Sequence, residues 1–403
     1  MIFAHLADCH LGGWREPKLR AVNTKAFASV IDYCIEAKTD FIIISGDLFN
    51  NSLPAMDCLK VAVDKLRQLK ERHIPVYMIA GSHDFSPSGK TMLDVLESAG
   101  LITNVCRGEE TADGKLKLKF TIDKNTGTKI TGLLGKKGGL EKNYFYNLDR
   151  EELEKREKTF KIFMFHSAIT ELKTKDMGEM ESMPISLLPK GFNYYAGGHV
   201  HIVDKQSLPG YLHVVYPGPV FPNSFSELEK LKHGSFVVFK DHDAMHLKVE
   251  PYPVISIILD CENKTPAEVE DMIMKELEGK NLKDAIITIR LSGVLSSGKQ
   301  TEIRFKEIFD KLYAAGAYFV MKNTNKLSSK EFQEIKVSKN SVEEIEESTI
   351  NEHAGQLGIF SIDKERELAK ELIRILSVDK DEGEKSADFE KRIKADVDAL
   401  LKI

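Results

Sequence analysis

At 403 residues the chain is too long for one ordinary core, so two or three domains are expected. With 42% hydrophobic and 30% charged residues it has the composition of a soluble globular protein, and no apolar run reaches the length of a membrane span. The net charge of −5 is unevenly spread: residues 341–403 carry 17 acidic and 10 basic residues, and the remainder 45 and 47, so the body is close to neutral and able to hold a local basic groove.

The opening MIFAHLADCH enters an apolar, strand-like run at once, without the charged head and cleavage site of a signal peptide, which points to a cytoplasmic protein. Residues 19–38 have helical composition, and FIIIS at 41–45 is a β-branched strand stopping at Gly46-Asp47. After Pro54 comes a helix with Met56, Leu59, Val63, Leu66 and Leu69 along one stripe, then a third strand, VYMIA, stopping at Gly81. Strand alternating with helix predicts a sheet covered on both faces. From Leu116 the pattern changes to short strands and turns: LKLKFTI, TKITGLL, KIFMF at 161–165, NYYAGGHVH, YLHVVYPG, GSFVVFK and MHLKVEPY. These predict an α/β (α+β) sandwich over 1–253. Residues 254–325 read as a small β-α-β-α-β domain, 326–360 as a polar linker, and 361–403 as a helical segment. The five cysteines, Cys9, Cys34, Cys58, Cys106 and Cys261, are scattered and form no CxxC, against both a disulfide framework and a zinc ribbon.

Metal-ligand residues follow five predicted strand ends: Asp8-Cys9-His10, Gly46-Asp47, Gly81-Ser82-His83-Asp84, His166-Ser167 and Gly197-Gly198-His199-Val200-His201. Any one of these motifs alone is more often structural. Five in one chain, each at a strand end, predict one converged site, because the carboxyl ends of strands in an open α/β sheet face a common edge. Imidazole and carboxylate suit Mn, Zn or Fe. In DxH and HxH, residues two apart point the same way from extended backbone. A bridging carboxylate would let this set hold two metals, which together activate water and stabilise both oxygens of a phosphodiester displacement. His5 is read as packing or bonding locally, and His213 is assigned no role.

The series DxH…GDLF…GSHD…H…GHVH resembles the calcineurin-like metallophosphoesterases. FAHLADCHLG with FIIISGDLFN is similar, within them, to the SbcD-type repair nucleases and their relatives, the meiotic-recombination-eleven family. The resemblance rests on motifs over the first 250 residues and on layout beyond. It implies a metallophosphoesterase core with a small capping domain that binds DNA and a C-terminal helical segment. It also implies two Mn²⁺ per subunit. Asp8, His10 and His201 would hold one metal, His166 and His199 the other, with Asp47 bridging. His83 would act on the scissile phosphate without binding metal. Where most members have Asn as a ligand of the second metal, this chain has Ser82, a shorter and weaker ligand that puts occupancy of that metal in question.

For DNA, the candidates are Arg15, Lys18 and Arg20 in the loop 12–20, which also contains Trp14, and Lys136 and Lys137 in GKKGG. Family members form homodimers through helices corresponding to 56–69 and 91–99, which makes Leu59, Met92 and Val95 interface candidates. Leu368, Leu372, Ile375 and Leu376 share one helix face, and Phe389, Ile393, Val397, Leu400 and Leu401 another. The resemblance implies that these faces dock on an ABC-type coiled-coil ATPase of the SbcC kind, although they could equally pack on each other. The expected function is a Mn²⁺-dependent DNA exonuclease and endonuclease of a double-strand-break repair complex, acting on DNA ends, with no membrane involved. The alternatives are a phosphatase or cyclic-nucleotide phosphodiesterase of the same fold, and a catalytically weak DNA-end-binding scaffold.

Overall fold

The structure is a computed structural model describing residues 1–86, 91–174, 177–178, 180–330, 342–356, 359–380 and 386–401. The chain divides into two compact units, Met1–Val254 and Ile255–Ile403.

In the first unit, long apolar runs form strands buried on both faces: all five residues of Phe41–Ser45 and all six of Lys161–His166 are buried. They belong to two six-stranded sheets of a mixed α/β sandwich. One runs in the order Asp243–Val249, Gly234–Lys240, Ile2–Leu6, Phe41–Ser45, Val76–Ile79, Thr103–Asn104, the last four parallel to one another. The other runs Val203–Leu208, Tyr211–Pro217, Tyr194–Gly198, Lys161–His166, Lys129–Gly132, Thr121–Ile122, with its four inner strands parallel. Between the sheets, Phe3 stacks on Phe41 and Phe239, with ring centroids 5.0 and 4.8 Å away, and meets Tyr194 edge-on.

A small polar cluster lies in this interior. His5 is fully buried, with Nε2 2.9 Å from Ser45 Oγ and Nδ1 3.0 Å from the Tyr194 hydroxyl. Because Ser45 Oγ donates to the Ala196 carbonyl, it accepts from His5 Nε2–H, and the Tyr194 hydroxyl then donates to Nδ1. His5 therefore ties the first sheet to the second.

Helix Pro17–Glu36 starts on a proline at its first position and buries the stripe Leu19, Val22, Ala26, Phe27, Val30, Ile31 and Cys34. Helix Met56–Glu71 is turned relative to expectation: it buries Cys58, Ala62, Leu66 and Leu69, the small Cys58 and Ala62 allowing close approach. Met56 is left 78% exposed, near the level of Leu53, while Leu59 is half-buried.

The second unit opens with the expected alternation. Its sheet has the order Val254–Asp260, Ile286–Leu295, Phe319–Ser329, and helices Pro266–Leu277 and Phe305–Ala314 close a core around Ile273, Ile287, Ile289, Leu291 and Leu312. The polar residues 326–329, expected as the start of the linker, continue the strand through Ser329 and pair with residues 292–295, past a register shift between Arg290 and Ser292. Ladder bonds are indifferent to side-chain polarity, and Leu327 and Ser329 are the buried positions. Helix Val342–His353 occupies part of the expected linker 326–360, and its Glu352 accepts from Ser329 Oγ at 3.1 Å; residues 331–341 lie outside the described residues. The tail helices are Ile362–Leu376 and Ser386–Leu401, which pack on each other. All five cysteines are unpaired, and among the described residues no helix is long and apolar enough to cross a membrane.

Candidate metal centre

The loops after Ile2–Leu6, Phe41–Ser45, Val76–Ile79, Lys161–His166 and Tyr194–Gly198 meet at one place. Asp8, His10, Asp47 and His166 are at most 2% exposed there. Their ligand atoms fall into three overlapping groups: Asp8, His10 and His201; Asp8, Asp47 and His166; His10, Asp47 and His83. Asp47 Oδ2 lies 3.2 Å from His166 Nε2 and 3.7 Å from His10 Nε2, and Asp8 Oδ1 lies 3.7 Å from His201 Nε2. The His10 and His201 Nε2 atoms are 2.9 Å apart.

The convergence does not come from extended backbone, as the DxH and HxH spacing suggested. Asp8, His10, Asp47, His199 and His201 have φ of 51°, 42°, 54°, 91° and 51°, a region non-glycine residues rarely adopt. Such strain persists where surrounding structure over-determines it, and it concentrates at functional sites. At Gly46, with φ 91°, a Cβ would lie 2.3 Å from His166 Nδ1, so only glycine admits that ring.

Backbone groups orient several of these side chains. His166 Nδ1–H donates to the Ser45 carbonyl at 2.7 Å and His83 Nδ1–H to the Asn50 carbonyl at 2.8 Å, turning both Nε2 atoms inward. The His199 N–H donates to both Asp8 oxygens, and the His83 N–H to Asp47 Oδ1. Asp84 is structural: it accepts from the Leu48, Phe49 and Gly81 amides, tying the second motif loop to the third. Burial and the nearby Asp47 carboxylate lift its pKa to about 6.

Burial disfavours charge throughout. It pushes His10 down to about 3, helped by His201, and His199 down to about 4, helped by His166, so both rings are neutral with lone pairs available. Burial opposes charge on His166 and His201 too, but Asp47 lifts the first to about 10, and Asp8 with Glu227 the second to about 9. Asp47 is desolvated yet held below the ordinary carboxylate range by His166 and His10. Two buried carboxylates thus require positive charge beside them. Divalent cations supply it through these same nitrogen and oxygen atoms, so the donor set fits them.

Asp47, His10 and His201 reach the floor of an open cleft of about 660 Å³, with Asp8 and His166 buried beneath. Ser82, His83, His199 and Glu227 line it, along with Met177, Met180, Ile202, Leu231 and Lys230. His199 belongs to none of the three tight groups, although its ring centroid is 5.2 Å from that of His166. Of the basic candidates, Arg15 and Lys18 are exposed and Arg20 half-buried, with Lys18 and Arg20 in the first turn of Pro17–Glu36 rather than in a loop. Lys136 donates to the Tyr144 hydroxyl at 2.6 Å and lies over the Tyr144 and Phe85 rings; the side chain of Lys137 lies outside the described residues. None of the four described side chains lines the cleft. Trp14 is buried, its indole N–H bonded to the Pro222 carbonyl.

Residues 1–203 match the model of the calcineurin-like phosphoesterase family. The chain belongs to that family. It is a metal-dependent phosphodiester hydrolase, as the family match and the buried donor set require. Family members similar to it include the DNA double-strand break repair protein Mre11 of Archaeoglobus fulgidus, 28% identical over 77% of this chain and 75% of that one. The protein of the same name from Sulfolobus acidocaldarius is 28% identical over 73% of this chain and 76% of its own. That from Methanococcus maripaludis is 30% identical, but the match spans only about half of each chain.

Proposed function

We propose that this chain is the nuclease subunit of a DNA double-strand-break repair complex, a Mn²⁺-dependent exonuclease and endonuclease acting at DNA ends. The observation that carries the proposal is the buried Asp8–Asp47 carboxylate pair, ringed by His10, His166 and His201, with Asp47, His10 and His201 reaching the floor of an open cleft. An open floor suits a phosphodiester within a polymer better than an enclosed small substrate. The repair role rests on the similarity to the double-strand break repair proteins of Archaeoglobus fulgidus and Sulfolobus acidocaldarius.

Two metals, when bound, would activate a water and stabilise the attacking and leaving oxygens. Asp8, His10 and His201 would hold one and His166, His199 and Ser82 the other, with Asp47 between them. His83, its Nδ1–H held by the Asn50 carbonyl, keeps Nε2 free to meet the phosphate. Arg15, Lys18, Arg20, Lys136 and Lys137 would contact DNA backbone outside the cleft.

A homodimer is supported by exposed apolar side chains at Leu53, Met56 and Val95, beside the half-buried Leu59 and Met92. Docking on an SbcC-type coiled-coil ATPase is supported by the paired tail helices. Their apolar residues Leu368, Leu372, Ile375, Phe389, Ile393, Val397 and Leu400 are only half-buried, and Leu376 and Leu401 are exposed.

The test is cleavage of a plasmid, an end-labelled duplex and p-nitrophenyl-phosphate esters with Mn²⁺. DNA cleavage is expected. Ester turnover without DNA cleavage would make the chain a phosphatase or small phosphodiesterase, and DNA-end binding without turnover a scaffold. Deleting residues 361–403 should abolish co-purification with the ATPase and leave Mn²⁺-dependent cleavage largely intact.

A further inference from the structure

The segment Pro222–Glu227 lies outside all five metal motifs, yet it is fastened to two of their loops. The Trp14 indole N–H donates to the Pro222 carbonyl at 2.9 Å. At Gly13 an ideal Cβ would fall 2.0 Å from Asn223 Oδ1, so the absence of a side chain there makes room for Asn223. Asn223 Nδ2 reaches Asn50 Oδ1 at 3.4 Å.

In the sequence, Ser224-Phe225-Ser226-Glu227 has the Ser-x-x-Glu pattern that opens a helix, and helix Phe225–Leu231 does begin there. Ser224 Oγ accepts from the Glu227 amide, and Glu227 Oε2 accepts from the Asn223 amide at 2.8 Å. The same Oε2 lies 3.1 Å from His201 Nδ1, and the Glu227 side chain is only 26% exposed. A residue whose sequence context explains it as a cap therefore also faces a metal-ligand candidate.

We infer that Glu227 is a positioning residue of the metal centre, setting through His201 the affinity of the metal held by Asp8, His10 and His201. The inference rests on the two-metal reading. His166 and His83 each donate Nδ1–H to a neutral backbone carbonyl, which orients the ring. His201 donates to a carboxylate, which orients the ring and also makes Nε2 a stronger donor. Glu227 thus strengthens the hold on the metal at Asp8, His10 and His201, in addition to any weakness that Ser82 brings to the other.

The test uses the full chain, with Mn²⁺ bound at equilibrium measured by dialysis and metal analysis, and unfolding of the metal-free protein followed in parallel. In Glu227→Gln an amide oxygen can still cap the helix, but the charge facing His201 is gone. One of the two Mn²⁺ should weaken by about 10–100-fold while the other stays within about twofold. Ser224→Ala is the control: it removes the cap and the Ser224 hydroxyl bond to Glu227 Oε1 but keeps the carboxylate charge facing His201, so it should lower the unfolding midpoint and leave both affinities largely unchanged. The inference is overturned if Glu227→Gln binds both metals as the wild type does, if it weakens both equally, or if Ser224→Ala reproduces its effect. A wild-type protein that takes up a single equivalent refutes the two-metal reading alone. Weakening of that one metal by Glu227→Gln then supports the inference, and unchanged binding overturns it.

Discussion

Replacing Tyr194 with Phe should destabilise the first unit far more than the loss of one oxygen suggests. The Tyr194 hydroxyl donates to His5 Nδ1, and His5 is fully buried, so no water can replace the lost donor. Leaving a buried acceptor unsatisfied costs about 1–3 kcal/mol, whereas removing both partners of such a bond can be nearly neutral. His5→Leu combined with Tyr194→Phe should therefore recover most of the loss, since Ser45 Oγ keeps its bond to the Ala196 carbonyl. The same residue predicts a pH dependence. Burial, with His246 nearby, lowers the His5 pKa from 6.5 to about 3, so His5 stays neutral in the folded chain and gains a proton on unfolding in acid. The stability it contributes is present above 6.5 and is lost as pH falls from 6.5 toward 3, amounting to about 2 kcal/mol between pH 7 and pH 5. The assay is urea unfolding of metal-stripped protein at both pH values, read by the fluorescence of Trp14, the single tryptophan, which lies in the first unit. The reasoning fails if Tyr194→Phe costs less than about 0.5 kcal/mol, well under the expected range. It fails equally if the double variant loses as much stability as the wild type on acidification.

Three further predictions concern the centre. Asp47→Ala should abolish cleavage and lower bound Mn²⁺; full activity with unchanged metal content would remove the bridging role. His83→Gln should lose on the order of a hundredfold in rate with both metals retained. Its membership of the group with His10 and Asp47 makes metal analysis the deciding measurement, because a parallel loss of metal would make it a ligand. Ser82→Asn should shift the Mn²⁺ titration of activity to lower concentration, and an unmoved midpoint would mean that Ser82 already suffices.

Much of the scaffold is readable from local pattern. FIIIS and KIFMF are apolar without alternation because both faces of their strands are buried, and the residues after them are polar because the strands end at a site. What pattern misses are contacts between distant segments. Nothing near His5 announces a partner 189 residues away in Tyr194. Trp14, met in a Gly- and Arg-rich loop, reads as surface, yet its ring is buried because Pro222 supplies a carbonyl for its N–H. Phe319–Ser329 reads as partly linker because its outer half is polar, although its backbone pairs as an apolar strand would.

The ligand motifs show the same division in finer form. The types of Asp8, His10, Asp47, His199 and His201 indicate metal chemistry, but not that all five occupy left-handed backbone. Strain of that kind costs of order 1–3 kcal/mol per residue and persists only if the surroundings offset it. Here the surroundings are visible. His199 holds Asp8 through its amide, His83 holds Asp47, and Asp84 binds three amides of the two loops beside it. The motifs are therefore mutually dependent: a ligand in one loop is the hydrogen-bond acceptor that fixes another. That interdependence explains why glycine and a second carboxylate accompany the ligands in GD and GSHD. Gly46 leaves space for the His166 ring, and Asp84 secures the turn that presents Asp47. It also explains why a carboxylate as remote in sequence as Glu227 can be part of the same centre: Asp8, Asp47, His166 and His201 are each aimed by a group from another segment, and for His201 that group is charged.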